Sequence, residues 1–295
     1  MMTFGKTTWV KIALVFTFIL TLILSTGTSI ASASSNLQVH FIDVGQGDAI
    51  LVKLPNGEHM LVDAGDNHYG ATVVNYIQNQ NIASLDYVVG THPHADHIGG
   101  LDDVINRFLI GEVYMPNATA TTQTYYDVLT AIDQKGLSIT RARAGLTLLN
   151  TTVDGKNLSI SMIAPIRDSY SNMNDYSAVI RIVYGSTSFL LTGDAEHLSE
   201  NDMLSSNAPL ASTILKIGHH GSSTSTTESF LDRVNPSAAI ISVGANNRYG
   251  HPNQSTIDRL QARGISIYRT DLNGSIVFTT SGAGWLVNKQ AWWRP

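Results

Sequence analysis

From residue 37 onward, apolar positions alternate in short runs bounded by glycine, asparagine or proline. LQVHFIDVG, AILVKLP and EHMLVDAG read as three strands joined by tight turns, with Pro55-Asn56-Gly57 as a hairpin signal. Between Ala71 and Gln80 the period lengthens, and Val73, Val74 and Ile77 share one helical face. LDYVVGTH is a short buried strand, GGLDDVINRFL a helix and GEVYMP another strand. A helix from Tyr125 to Gln134 precedes three strands, SITRARAG, LTLLN and LSISMIAP. SAVIRIVYGSTSFLLTGD forms a hairpin about Gly185-Ser186. EHLSENDML is helical, and STILKIGHHGSSTST begins as a strand and ends as a loop. Ser225 and Glu228 make a capping box for a helix running to Arg233. AAIISVG, a helix over Ser255 to Arg263 and GISIYRT form a strand–helix–strand unit, and GSIVFTTSGAGWLV is a last hairpin. The pattern predicts one α/β (α+β) domain of two mixed β-sheets with helices on the outer faces.

The first residues break this pattern. Lys6 and Lys11 precede an apolar run from Ile12 to Leu24, and Ala31-Ser32-Ala33 is a small-x-small cleavage site. This is the layout of a secretory signal peptide over 1–33, with the mature domain over 34–295 and a secreted, extracellular destination. The alternative is membrane anchoring by an uncleaved segment, for which the run falls short of the ~20 residues a span needs. No second long apolar run follows, so the mature chain implies no stable membrane partner. The net charge of −5, without any run of Lys or Arg, excludes a broad nucleic-acid patch and makes any contact with a polyanion local. The chain has no cysteine, which excludes disulfides, thiolate ligands and a lipid anchor.

The densest chemistry lies in THPHADHIGG. His92 and His94, two apart on an extended segment, point the same way and can share one cation. Asp96 and His97 lie where the chain turns into a helix and can face a second. Imidazole and carboxylate suit zinc-type ions. Gly99 and Gly100 let the backbone pass close to the site, and the new helix aims its N-terminal N–H groups at an anionic substrate. Three of the chain's ten histidines and one aspartate within six residues indicate a metal site rather than surface histidines.

This stretch resembles the HxHxDH signature of the metallo-β-lactamase fold. FIDVGQGDAILVKLPNGEHMLVDAG, FLLTGD, LKIGHHGSSTS and NRYGHP…YRTDLNGSI resemble the hydrolase domain of the ComEC-type DNA-uptake competence proteins and its secreted stand-alone relatives. The matching segments run from Phe41 to about Ile276. The resemblance implies a four-layer αββα sandwich with two divalent metal ions at one edge of the paired sheets. His92 and His94 would hold the first metal, Asp96 and His97 the second, and Asp194 would bridge them. Asp63 would be a supporting acid. One histidine of GHHGS would complete the second metal. Alternation along LKIGHH turns only one inward, and His219 is expected there, with His220 lining the pocket. His251 is a further pocket residue able to touch the scissile group, and Asp48 supports the metal loop or caps a turn. Asp96, Asp194 and His251 are the expected catalytic residues.

One departure is the loop SYSNMNDYSAV, which has no histidine where the wider fold usually carries one; Asn174 and Asp175 are the nearest substitutes. Three protein ligands with an open position is a catalytic arrangement, for which Zn²⁺ is expected and Mn²⁺ is the alternative. Paired cations can share a hydroxide and lower its pKa toward neutrality. The favoured reaction is hydrolysis of a phosphodiester, including DNA or another nucleic acid. Ser222 and the rest of GSSTSTT, Lys216 and Arg248 would be donors to phosphate. Two other readings stand beside it: a lactone or ester hydrolase with the same centre, and a non-catalytic metal-binding module that captures DNA. The tail with Trp285, Trp292 and Trp293 is expected to pack on the fold rather than to stack on bases.

Overall fold

Alternation along the strands sorts apolar side chains onto two faces. In β2 (Ala49–Lys53), Ile50 and Val52 join one core while Ala49 and Leu51 join another; in β3 (His59–Ala64), Met60 and Val62 part from Leu61 and Ala64 in the same way. With β1 (Leu37–Phe41) these strands form an antiparallel meander turning at Asn56-Gly57. β4 (Ser84–Val89), β5 (Leu109–Met115) and β6 (Ile139–Arg141) add to it in parallel. This computed structural model describes residues 35–295. The leader expected over 1–33 lies outside the described residues.

The second sheet starts antiparallel, with β7 (Thr147–Val153), β8 (Lys156–Ala164), β9 (Val179–Tyr184) and β10 (Thr187–Leu191). It continues in parallel through β11 (Ile214–Lys216), β12 (Ala238–Ile241) and β13 (Ser266–Arg269). The chain then returns to the first sheet as β14 (Ile276–Thr280), beside β1, and β15 (Leu286–Val287). The orders are β15-β14-β1-β2-β3-β4-β5-β6 and β13-β12-β11-β10-β9-β8-β7.

Helices cover both outer faces. α1 (Gly70–Asn79), the single turn α2 (Ala95–Ile98), α3 (Leu101–Arg107) and α4 (Gln123–Gln134) bury Val73, Ile77, Val104 and Ile132 against the first sheet. On the second sheet, α5 (His197–Ser205), α6 (Glu228–Val234) and α7 (Gln254–Ala262) bury Met203, Phe230, Leu231 and Leu260. Between the sheets, Phe278 is the hub of an aromatic cluster, with ring centroids 6.1 Å from Phe41, 6.2 Å from Phe189 and 5.3 Å from both Tyr268 and Trp285. The architecture is the four-layer αββα sandwich.

Three local expectations change. Thr227, not Ser225, caps α6 by accepting from the Phe230 N–H, and the Thr226 and Thr227 N–H groups donate to the buried carboxylate of Glu200. GGLDDVINRFL is not continuous with the motif helix, because α2 ends after one turn and α3 starts beyond Gly100. The glycines answer to the chain behind them: a Cβ on Gly99 would lie 2.3 Å from the Asn67 nitrogen, and one on Gly100 2.6 Å from the Ala64 oxygen. Trp285 packs against the inter-sheet core, the Trp293 backbone pairs with Ile267 on the edge of β13, and Trp292 lies 4.9 Å from the Arg269 guanidinium. Among the described residues no helix is long and apolar enough to cross a membrane.

Candidate metal centre

Three strand ends meet at one edge of the sandwich: β4 running into His92 and His94, β10 into Asp194, and β11 into His219 and His220. His92 is fully buried, and its Nε2 lies 3.0 Å from His94 Nδ1 and 3.9 Å from Asp194 Oδ2. Two imidazole nitrogens so close either share a proton or act as two ligands of one cation. A second group consists of Asp96, His97, Asp194 and His220, whose candidate ligand atoms all lie within 4.8 Å of one another. His97 Nε2 is 3.1 Å from Asp194 Oδ1; His220 Nε2 is 3.4 Å from Asp96 Oδ2 and 3.5 Å from Asp194 Oδ2. Asp194 thus belongs to both groups.

The far side of each imidazole is held. Asp63 Oδ2 is 2.7 Å from His97 Nδ1, and the same carboxylate accepts from the Thr91 N–H at 2.8 Å and from its hydroxyl at 2.6 Å. His220 Nδ1 donates to the Ser242 carbonyl at 2.9 Å. Both contacts assign the proton to Nδ1 and leave Nε2 facing inward. In this buried space His97 Nε2, His220 Nε2 and Asp194 Oδ1 have no hydrogen-bond partner. Unmet buried polar atoms cost about 1–3 kcal/mol each, and a divalent cation would satisfy all three. The donor set fits a binuclear divalent metal site.

Electrostatics agree. Burial opposes a charged His97, but Asp194 and Asp63 outweigh it and hold the imidazole well above its usual pKa. His220 is likewise pushed up to about 9, against burial, by Asp194, Asp96 and Asp48. Burial disfavours the Asp194 anion, yet His220 and His97 hold it well below the usual carboxylate range. Burial and the charge of His97 push His92 well down. The carboxylates around His97 and His220 thus favour positive charge at this spot, as a cation site requires.

Among known families, residues 42–245 match the Metallo-beta-lactamase superfamily. This chain belongs to that superfamily. It is 30% identical over 262 residues to ComE operon protein 3 of Bacillus subtilis, covering 83% of this chain and 33% of that protein. It is 29% identical over 244 residues to Competence protein ComA of Neisseria gonorrhoeae, covering 82% of this chain and 32% of the relative. The chain therefore spans about a third of the curated competence relatives it matches. The metallo-beta-lactamase fold protein YhfI from Bacillus subtilis superposes with a TM-score of 0.52 at 14% identity, over 83% of this chain and 100% of that one, which bears on fold alone.

Within this metallo-beta-lactamase centre, several expected positions change. Alternation along LKIGHH does not reach the histidines, because His219 and His220 both have left-handed backbones, with φ of 48° and 54°. Both side chains therefore turn toward Asp194. It is His220, fully buried, that joins Asp96, His97 and Asp194. His219 is a quarter exposed on the cavity wall, with Nε2 3.7 Å from Asp194 Oδ2 and Nδ1 3.0 Å from Glu196 Oε1. Asn174 lies beside it: its Nδ2 donates to Glu196 at 2.9 Å, and its buried Oδ1 has no partner. Asp175 is no substitute ligand; its Oδ1 accepts from the Glu196 and Ser199 N–H groups at the start of α5.

Lys216 does not reach substrate. It is fully buried, with Nζ 2.5 Å from Asp48 Oδ2, 2.9 Å from the Gly193 carbonyl and 3.9 Å from Asp194 Oδ1. Asp48 supports the metal loop instead of capping a turn, and its N–H donates to the Asp96 carbonyl at 3.1 Å. Ser222 also turns away; its hydroxyl bonds Thr224 Oγ1 at 2.9 Å in a local turn. His251 lines a cavity of about 320 Å³ together with His94, Asp96, Asp194 and His220. Burial, with His219 and His220 nearby, pushes His251 down to about 4. Sequence reasoning missed Glu196 and Ser177. Ser177 Oγ accepts from the Asp194 N–H at 3.0 Å and lies 3.3 Å from His92 Nδ1. Glu196 had a signal in its position two residues after Asp194; Ser177 had none.

Proposed function

We propose that this chain is a metal-dependent phosphodiester hydrolase. His92, His94 and Asp194 would hold one ion, and Asp96, His97, His220 and Asp194 the other. Two divalent ions, Zn²⁺ or alternatively Mn²⁺, would supply Lewis acidity toward water and toward a phosphoryl oxygen. The observation that carries the reading is Asp194, shared by two ligand groups at the floor of an open cavity. Two carboxylates, Asp96 and Asp194, against two divalent charges leave the loaded centre positive, which favours an anionic diester over a neutral lactone.

The protein's own groups orient and exclude. Asp63 and the Ser242 carbonyl fix the ring tautomers of His97 and His220. The buried Asp48–Lys216 pair backs the centre. His251, neutral at pH 7, presents a hydrogen-bonding ring on the cavity wall without adding charge. The names of the competence relatives support DNA as the diester, and the composition of residues 1–33 supports action outside the cell.

The test is turnover of bis(p-nitrophenyl) phosphate and of DNA by the purified protein, before and after metal removal. Chelation should abolish hydrolysis, and Zn²⁺ or Mn²⁺ should restore it. Turnover of a lactone alone would reject the diester. DNA binding with no turnover of anything would make the protein a capture module.

A further inference from the structure

Two hollows meet at the mouth of the centre. The metal cavity of about 320 Å³ and an outer cleft of about 390 Å³ share Gln46, Asp96 and Tyr249 in their linings. The outer cleft is also lined by Tyr69, His68 and Arg248. Each volume falls in the range of small-ligand pockets, about 300–1,000 Å³. A diester centred on the metals carries two ester arms, and the shared lining makes this cleft the immediate neighbour of the metal cavity.

Tyr249 stands on the boundary and is 52% exposed. The loop that carries it is nevertheless tied down. The His251 ring stacks on it, with centroids 5.8 Å apart and planes at 25°. Asn247 ties the loop down: its Oδ1 accepts from the Tyr249 and His251 N–H groups at 3.2 and 3.0 Å, and its Nδ2 donates to the His251 carbonyl at 2.6 Å and the Gly244 carbonyl at 3.0 Å. The planar Arg248 guanidinium lies 5.0 Å from the ring centroid and donates to Tyr249 Oη at 2.8 Å. An exposed aromatic on an anchored loop, beside a cation and on the rim of the metal cavity, is the chemistry that receives a base.

We infer that Tyr249 and the cleft beyond it form a nucleoside subsite, in which the base attached to the scissile phosphate stacks on the Tyr249 ring and Arg248 serves the charged backbone. The inference deepens the hydrolase reading and rests on it for the placement of the phosphate. It makes the protein a nucleotidyl phosphodiesterase rather than one for lipid or wall diesters, which carry no base.

The experiment separates the subsite from the chemistry. Metal-loaded wild type, Tyr249→Ala and Tyr249→Phe are titrated calorimetrically with thymidine 5′-monophosphate and with methyl phosphate. In parallel, kcat/KM is measured on thymidine 5′-(p-nitrophenyl phosphate) and on methyl p-nitrophenyl phosphate. Wild type should bind the nucleotide about tenfold or more tightly than methyl phosphate, in keeping with one base–aromatic stack. Tyr249→Ala should erase that preference and lower the nucleoside-to-methyl ratio of kcat/KM by a similar factor, mainly through KM, while Tyr249→Phe retains both. No preference in wild type, or an equal loss on both ligands in Tyr249→Ala, overturns the subsite. Nucleotide preference that depends on Tyr249 without turnover of any diester would overturn the hydrolase reading and leave the subsite standing.

Discussion

Asp63 has a left-handed backbone, with φ of 58°, a conformation uncommon outside glycine. The carboxylate so placed accepts from both polar groups of Thr91 and holds His97. Asp63→Asn keeps the size but turns one acceptor into a donor facing donors. Metal affinity, read by competition with a chromophoric chelator, should fall about 10–100-fold. A second residue-scale expectation separates the paired histidines. His220→Ala removes a fully buried member of the second group and should cost the protein about half its bound metal, whereas His219→Ala should retain more. Metal analysis of the two purified variants decides this. The contiguous cluster from His92 to His97 was legible because its spacing is local. The histidine pair was not, since two successive left-handed residues obey neither strand nor helix periodicity.

Between elements, the link from β1 to α1 carries a titration. His40 is buried, with Nδ1 3.0 Å from Tyr76 Oη. Burial, with Lys53 adding a smaller push, lowers its pKa to about 4. The unfolded chain takes up this proton near pH 6.5, and the folded chain only near 4. The stabilisation from a neutral His40 is therefore present above pH 6.5 and lost as pH falls toward 4. By pH 4.5 the loss should be on the order of 2 kcal/mol. Urea unfolding at pH 7.5 and 4.5 should show a smaller acid loss in His40→Gln than in wild type. Element positions were mostly legible here. Hairpins about Gly185-Ser186 and Asn56-Gly57 and the helix holding Val73 and Ile77 follow from turn chemistry and period. Two helix boundaries were not. Thr227 displaced Ser225 as a cap because Glu200, distant in sequence, takes the preceding N–H groups, and α2 stops where the chain crosses Asn67.

For the molecule as a whole, Asp48 at the head of β2 and Lys216 in β11 join the two sheets under the metal centre. Lys216→Met leaves a buried carboxylate without its cation and should destabilise the fold by about 3–5 kcal/mol in urea unfolding. Asp48→Asn combined with Lys216→Met should lose less than the two single changes added together, because the pair is coupled. The sequence by itself determined the strands, the layered α/β architecture and the run from His92 to His97, because these depend on neighbours a few residues apart. Only the tertiary structure decided which histidine lies with Asp96, His97 and Asp194, that Asp175 and Lys216 serve the fold, and that Tyr249 borders the cavity. Those outcomes depend on where separate strand ends meet, and that follows from the packing of one sheet on the other.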